Sequence, residues 1–347
     1  MKTLGLILGG MLLLAGGTAH AADLQKGSAA YERGDYATAI VEFRPLAAQG
    51  NAFAQYNLGL MYAFGQGVPQ DYTQAIAWYR KAAAQGDALA QTSLGFMYAN
   101  GQGVPQDYTQ AIAWYRKAAA QGEVLAQSNL GATYFSGHGV PQDYAQAVAW
   151  FSKAAAQGDA HAQFSLGALY FDGHGVPQSY TQAAAWYLKA ATQGDANAQA
   201  DLGLMYANGQ GVQQDYEQAI GWYRKAVAQG NSLAQGALGQ MYYDGKGVQQ
   251  NYGQAIVWYR KAAVQGDARA QGALGLAYAE GNGVPQNYVT AYALLNLASS
   301  HNDTEQDIVA GNRKKVMSYM TSAQVEAGQA LTREMQRVGV LQALDAR

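Results

Sequence analysis

The sequence predicts an all-α fold, a right-handed α-solenoid of stacked antiparallel helix pairs. Three observations carry this expectation. Aligned on Ala-Gln-x-x-Leu-Gly, the chain repeats from Ala54, Ala90, Ala126, Ala162, Ala198, Ala234 and Ala270, every interval being 36 residues. All six tryptophans (Trp78, Trp114, Trp150, Trp186, Trp222 and Trp258) share one repeat position. Each copy also carries start and stop signals for two helices, and helix pairs too small to bury their own apolar faces must stack on their neighbours.

In the second copy, Asp87 caps a helix A that runs through Leu94, Gly95 and Tyr98 until Gly101 stops it. Gly101-Gln-Gly-Val-Pro105 is a loop in which Val104 plugs the gap between helices. Asp107, with Gln110 three residues on, has the spacing of a capping box for helix B. Helix B then carries Tyr108, Ala111, Ile112, Tyr115, Ala118 and Ala119 at intervals of three and four, and Gly122 closes it. Gly95 and Ala111 admit close helix approach, with Tyr98 and Tyr115 filling the space around them. Residues 65–86 and 101–122 are identical, closer than packing demands, which suggests recent duplication.

Composition narrows the function. The chain has 347 residues, with 24 acidic and 22 basic side chains, and this near balance argues against nucleic-acid binding. Length alone would suggest about two domains, but the internal period overrides that prior. The absence of cysteine excludes a disulfide framework, a thiolate zinc site, a catalytic thiol and attachment of lipid through cysteine. Residues 1–21 read as a signal peptide: Lys2 supplies the positive start, Leu4 to Leu14 the apolar stretch, and Ala19-His20-Ala21 the cleavage pattern. A mature chain from Ala22, periplasmic or secreted and not inserted in the membrane, is expected.

The pattern Leu-Gly-x-x-Tyr, then Ala-x-x-Trp-Tyr and Ala-Ala, joined by Gly-x-Gly-Val-Pro, resembles the SEL-one-like repeat family. That family is a branch of the tetratricopeptide superfamily with a longer inter-helix loop. The resemblance implies the solenoid fold and a protein-interaction role in envelope organisation, signalling or host contact. Residues 22–53 resemble a plain tetratricopeptide pair acting as an N-terminal cap, 54–301 hold the seven repeats, and 302–347 form C-terminal capping helices and a tail. Those helices are expected near 305–319 and 322–337, the second behind a Thr321-x-x-Gln324 capping box, with 338–347 fraying.

Repeats separate structural from free positions. Leu-Gly, Tyr and Trp-Tyr hardly change and read as core. Variation gathers on helix A, at positions that face the concave groove in the tetratricopeptide family. One row reads Tyr56, Thr92, Ser128, Phe164, Ala200, Gly236, Gly272. Across the varying positions, aromatics include Tyr56, Phe64, Phe96, Phe135, Phe164, Phe171 and Tyr243, and carboxylates enter at Asp172, Asp201, Asp244 and Glu280. Tyr56, Phe64, Phe96, Phe135, Phe164, Phe171, Asp172, Tyr243 and Asp244 are the candidate partner-binding residues. Exposed aromatic patches mark partner sites, and the bland alternative is packing between neighbouring A helices.

The expected partner is a protein or peptide, basic or amphipathic; a glycan stacked on the rings is the second class. A carboxylate clamp needs cations on helix A, and only Arg269 stands at a groove position. The third class is an enzyme acting on cell-wall or β-lactam substrates, against which the thin catalytic inventory counts. His138 and His174 share one loop position in adjacent repeats, too far apart for joint ligation at the roughly 10 Å spacing of packed helices. The sequence contains no nucleophile elbow, zinc-protease motif or phosphate loop, so no catalytic, cofactor or metal residue is assigned.

Overall fold

The computed structural model describes residues 18–299 and 306–345. The expected leader lies mostly outside these residues; the expected cut after Ala21 falls within the first turn of the first helix. Every regular element among the described residues is an α-helix. The chain divides into two units, one ending at Gln157 and the other starting at Gly158.

The first unit contains α1 (Thr18–Glu32), α2 (Tyr36–Ala48), α3 (Ala52–Phe64), α4 (Tyr72–Ala84), α5 (Ala88–Asn100), α6 (Tyr108–Ala120), α7 (Val124–Ser136) and α8 (Tyr144–Ala156). The second contains α9 (Ala160–Asp172), α10 (Tyr180–Thr192), α11 (Ala196–Asn208), α12 (Tyr216–Ala228), α13 (Ser232–Asp244), α14 (Tyr252–Val264), α15 (Ala268–Glu280) and α16 (Tyr288–Ala298). It continues with α17 (Gln306–Met317), α18 (Ser322–Val338) and α19 (Val340–Asp345). Within each unit the helices stack as antiparallel pairs, the α-solenoid that the 36-residue period predicts.

The pair α5–α6 shows why this sequence folds this way. The Asp87 carboxylate accepts a hydrogen bond from the Ala90 amide, satisfying one of the free N–H groups that open a helix. Gly101 ends α5 at φ 66°, a left-handed conformation that disfavours a side chain. The Gln106 side chain donates to the Ala99 carbonyl and the Tyr108 hydroxyl, and the Asp107 amide donates to the Tyr98 carbonyl, so the loop folds back onto its own helix. Val104 is half-buried against the core, as the plug reading requires. Asp107 then caps α6 by accepting from the Gln110 amide. Both halves of a capping box occur, among the described helices, only at α18, between Thr321 and Gln324.

Two features lock the first six repeat pairs; in the seventh, Gly275 packs on Leu295 instead of a ring. The first is steric: a Cβ placed on Gly95 would stand 2.5 Å from the Tyr115 ring, so only glycine allows this approach. The same glycine–ring contact recurs at Gly59–Tyr79, Gly131–Phe151, Gly167–Tyr187, Gly203–Tyr223 and Gly239–Tyr259. The second is polar. Gln121, just past α6, donates to the buried Gln91 side chain at 2.9 Å, and Gln91 donates to the Ala83 carbonyl of the preceding repeat at 3.3 Å. Gln85–Gln55 and Gln157–Gln127 repeat the bond in the first unit, and Gln193–Gln163, Gln229–Gln199 and Gln265–Gln235 in the second. A buried amide must find partners, and here each finds its own kind.

Two expectations need correction. The six tryptophans are half-buried, not core. Each packs one face on its surroundings and carries a lysine from one turn later over its ring, as Lys117 lies 4.2 Å from the Trp114 centroid and Lys225 3.8 Å from that of Trp222. Six such pairs occur, at the spacing of three residues that makes helical neighbours. At the other end, residues 340–345 do not fray: α19 buries Val340 and Ala343 against the last core cluster, and Asp345 pairs with Arg260. The apolar spacing Val340–Ala343 predicts one helical face, which the expectation of fraying overlooks.

Candidate partner-binding face

Every A helix of the repeats has 13 residues, so equivalent positions can be compared directly. The varying residues fall at the fifth, ninth, twelfth and thirteenth helix positions, steps of four, three and one that share one side of the helix. What stands on that side differs between the units.

In the first unit the twelfth-, ninth- and thirteenth-position rings are exposed. Phe64 is 60% exposed, Phe96 44% and Phe135 42%. Phe135 touches Tyr144 edge-on at 5.6 Å but keeps its outer face in solvent. The fifth-position residue behaves differently. Tyr56 is 7% exposed, lying 5.9 Å from the Tyr79 ring, and burial pushes its hydroxyl pKa above the usual tyrosine range. Tyr56 is therefore core, not surface: at the fifth position a side chain points inward over the ring that the repeat glycine admits. Thr92 and Ser128, its counterparts, are buried too.

In the second unit Phe164 takes the same fifth-position place over Tyr187 at 5.7 Å and is half-buried, so it is intramolecular packing as well. Phe171 is half-buried, 5.1 Å from Tyr180. Asp172 is exposed at the end of α9. Asp201, which the sequence placed in the groove, is half-buried; burial and the nearby Asp195 and Asp172 carboxylates push its pKa up to about 6.

Further along this unit the side becomes polar and hollow. The Tyr243 hydroxyl donates to Glu280 Oε2 at 2.5 Å and accepts from Asn282 at 2.8 Å; burial, with that bond, pushes its pKa up to about 12. Asp244 is exposed, accepts from Gln240 at 2.9 Å and pairs with Lys246 at 3.0 Å. Beside them opens a cavity of about 580 Å³ on α11, α13 and α15, walled by Tyr223, Tyr259, Gly236 and Gln240, with Asp244 and Arg269 at its polar edge. The fifth-position row already shows its cause, since Gly236 brings no side chain to that spot. A row read for aromatics and charges passes over the glycine that makes the space.

Of the histidines, His138 is exposed and stacks on the Tyr108 ring at 5.2 Å. Among the described residues no three His, Asp or Glu side chains cluster so as to hold a metal ion. No helix among them is long and apolar enough to cross a membrane.

The Sel1 repeat model matches seven consecutive segments, residues 52–87, 88–123, 124–159, 160–195, 196–231, 232–267 and 268–303. The chain belongs to the Sel1 repeat family. Its repeats are those of proteins that serve in general as protein-interaction scaffolds. Among solved structures, a Sel1 repeat protein from Oxalobacter formigenes is 38% identical over 69% of this chain and 98% of its own, with TM-score 0.64. A protective antigen present in uropathogenic Escherichia coli strains, displaying an SLR fold, is 31% identical over 93% of both chains, with TM-score 0.55. No curated protein matches the sequence.

Proposed function

We propose that the chain is a non-catalytic, exported scaffold that binds a protein or peptide through the A-helix side of its repeats. The observation that carries this reading is the run of solvent-exposed rings Phe64, Phe96 and Phe135 on three successive A helices. Large apolar rings left in solvent on successive helices carry a cost, and exposed apolar surface of this kind marks contact sites. The leader-like residues 1–21 support export, and the family's general role supports a protein as partner. Carboxylates at Asp172, Asp244 and Glu280 in the second unit favour a partner with basic or amphipathic character. Nothing observed among the described residues favours the enzymatic alternative.

The test compares the mature chain with a Phe64→Ala, Phe96→Ala, Phe135→Ala triple variant as baits for envelope extract. A specifically retained protein that the triple variant loses, while its helical content stays unchanged, is the expected result. Identical captured sets from both baits overturn the reading.

A further inference from the structure

The carboxylates on the A-helix side are not equally provided for. Asp244 accepts from Gln240 and pairs with Lys246, and Glu280 accepts from the Tyr243 hydroxyl and from Asn282. Asp201 and Asp172, by contrast, make no hydrogen bond and no ion pair among the described residues. Asp201 stands at the sixth position of α11, where the other A helices of the repeats carry asparagine, serine or alanine, and it is half-buried. The charges that act on it are both negative, Asp195 at the cap of its own helix and Asp172 at the end of α9. Asp195 is already occupied, accepting from the Ala198 amide.

A tyrosine hydroxyl completes the notch. Tyr187 is only 4% exposed, and burial together with the Asp201 and Asp172 carboxylates pushes its pKa above the usual tyrosine range, which places its hydroxyl on their side. Two repeats on, its counterpart Tyr259 donates to Gln240, the ninth residue of its A helix, at 2.8 Å. The ninth residue of α9 is Ala168, which has no group to offer, and the Tyr187 hydroxyl makes no hydrogen bond among the described residues. Ala168 is half-buried, on the same stripe of α9 as Asp172 four residues later, so the place that Gln240 fills in its own repeat opens to solvent here. Two carboxylates and a hydroxyl thus meet without partners. A desolvated charge is costly until it is paired, so this arrangement is complete only with a donor from outside. Among the described residues no three carboxyl or imidazole groups converge as metal ligands, and the notch suits an organic cation. We infer that the notch of Asp172, Tyr187 and Asp201 receives a basic side chain, arginine or lysine, of the bound protein or peptide. Each of the three groups can accept a hydrogen bond from a guanidinium or an ammonium, and bonds to a carboxylate of this kind are the strong ones.

The inference rests on the scaffold reading and specifies what one part of the A-helix side recognises. Random peptides displayed on phage are selected against the full mature chain, and the binders are titrated against wild type, Asp201→Asn and Asp244→Asn. The first substitution keeps the shape of the side chain and removes the charge; the second removes a charge that the chain already satisfies. Selected peptides should share an arginine or lysine at one position. Asp201→Asn should bind them about 30-fold more weakly, the loss expected for one partner of a desolvated charge pair, and Asp244→Asn less than about 3-fold more weakly. Replacing the shared basic residue with glutamine should weaken binding to wild type by a similar factor and change binding to Asp201→Asn little, the signature of a direct pair. Peptides that bind Asp201→Asn as well as wild type, or that lose as much on Asp244→Asn, overturn the notch as the site and leave the scaffold reading standing. Failure to recover any binding peptide overturns both.

Discussion

The two units use the same internal frame and dress its A-helix side in different ways. In the first, the side is built outward, with Phe64, Phe96 and Phe135 in solvent over a filled interior that includes buried Tyr56. In the second, it is carved inward: Phe164 and Phe171 settle onto neighbouring rings, carboxylates take over the rim, and Gly236 opens a hollow. The frame beneath is nearly indifferent to the change, because glycine–ring contacts and glutamine pairs recur in both units with almost the same geometry. Recognition and stability are thus written on separate residues, as repeat architectures allow.

The largest effect tests the shared frame. Gly95→Val in the first unit and Gly203→Val in the second each drive a side chain into a tyrosine ring, 2.5 Å and 2.7 Å from the first added carbon. Each should cost about 3 kcal/mol, the upper range for overpacked cores, measured by urea denaturation. A loss confined to one unit would break the claim that both rest on the same contact.

The next tests a residue that sets the units apart. At the sixth A-helix position the first unit has neutral Asn57, Ser93 and Asn129, whereas the second has Asp201. With its pKa raised to about 6 by burial, the folded state holds this proton more tightly than the unfolded chain, whose aspartates titrate near 4. The folded state is therefore favoured at low pH, and stability falls as pH rises from about 4 to 6. Asp201→Asn should gain about 2 kcal/mol at pH 7 and flatten that part of the stability–pH curve. An unchanged curve would show that the carboxyl is solvated.

A matched pair of ring deletions sharpens the contrast between outward and inward aromatics. Phe164→Ala strips a half-buried ring from Tyr187 and should cost about 2 kcal/mol, while Phe135→Ala should cost under about 1 kcal/mol. Equal losses in thermal melts would erase the distinction. The smallest effect concerns a feature common to both units: Lys117→Gln and Lys225→Gln should each cost about 0.5 kcal/mol by removing the cation over Trp114 or Trp222, and the difference should persist in high salt where simple surface pairing fades.

Much of this fold is legible in the sequence because the period repeats its own evidence. Asp87, Gly101 and Gly95 each act in the structure as their spacing implies, and Asp107 caps its helix without Gln110 completing the box. The binding side is less legible for a physical reason. A position that varies between copies is free of the frame, but variation does not tell whether a side chain points out or fills a neighbour's gap. Tyr56 and Phe135 vary alike, yet one is buried and the other is not. The tryptophans mislead in the opposite sense: constancy there goes with a half-buried ring capped by a lysine ammonium, not full burial. Reading Lys at three residues beyond each Trp would have found it.

The glutamine fasteners have a consequence for how such a chain changes over generations. Six of the seven modules bring both halves of their own clasp, Gln91 with Gln121 for instance, and Gln91 also donates to a carbonyl of the module before it. Copying or deleting one whole 36-residue stretch, as the twin segments 65–86 and 101–122 suggest has happened, leaves every clasp matched. A partial insertion within a helix would shift one half of a clasp away from the other. The number of modules is in this way a freely adjustable quantity, while the spacing within each helix is not, and new surfaces can be tried on a spare copy at little risk to the rest.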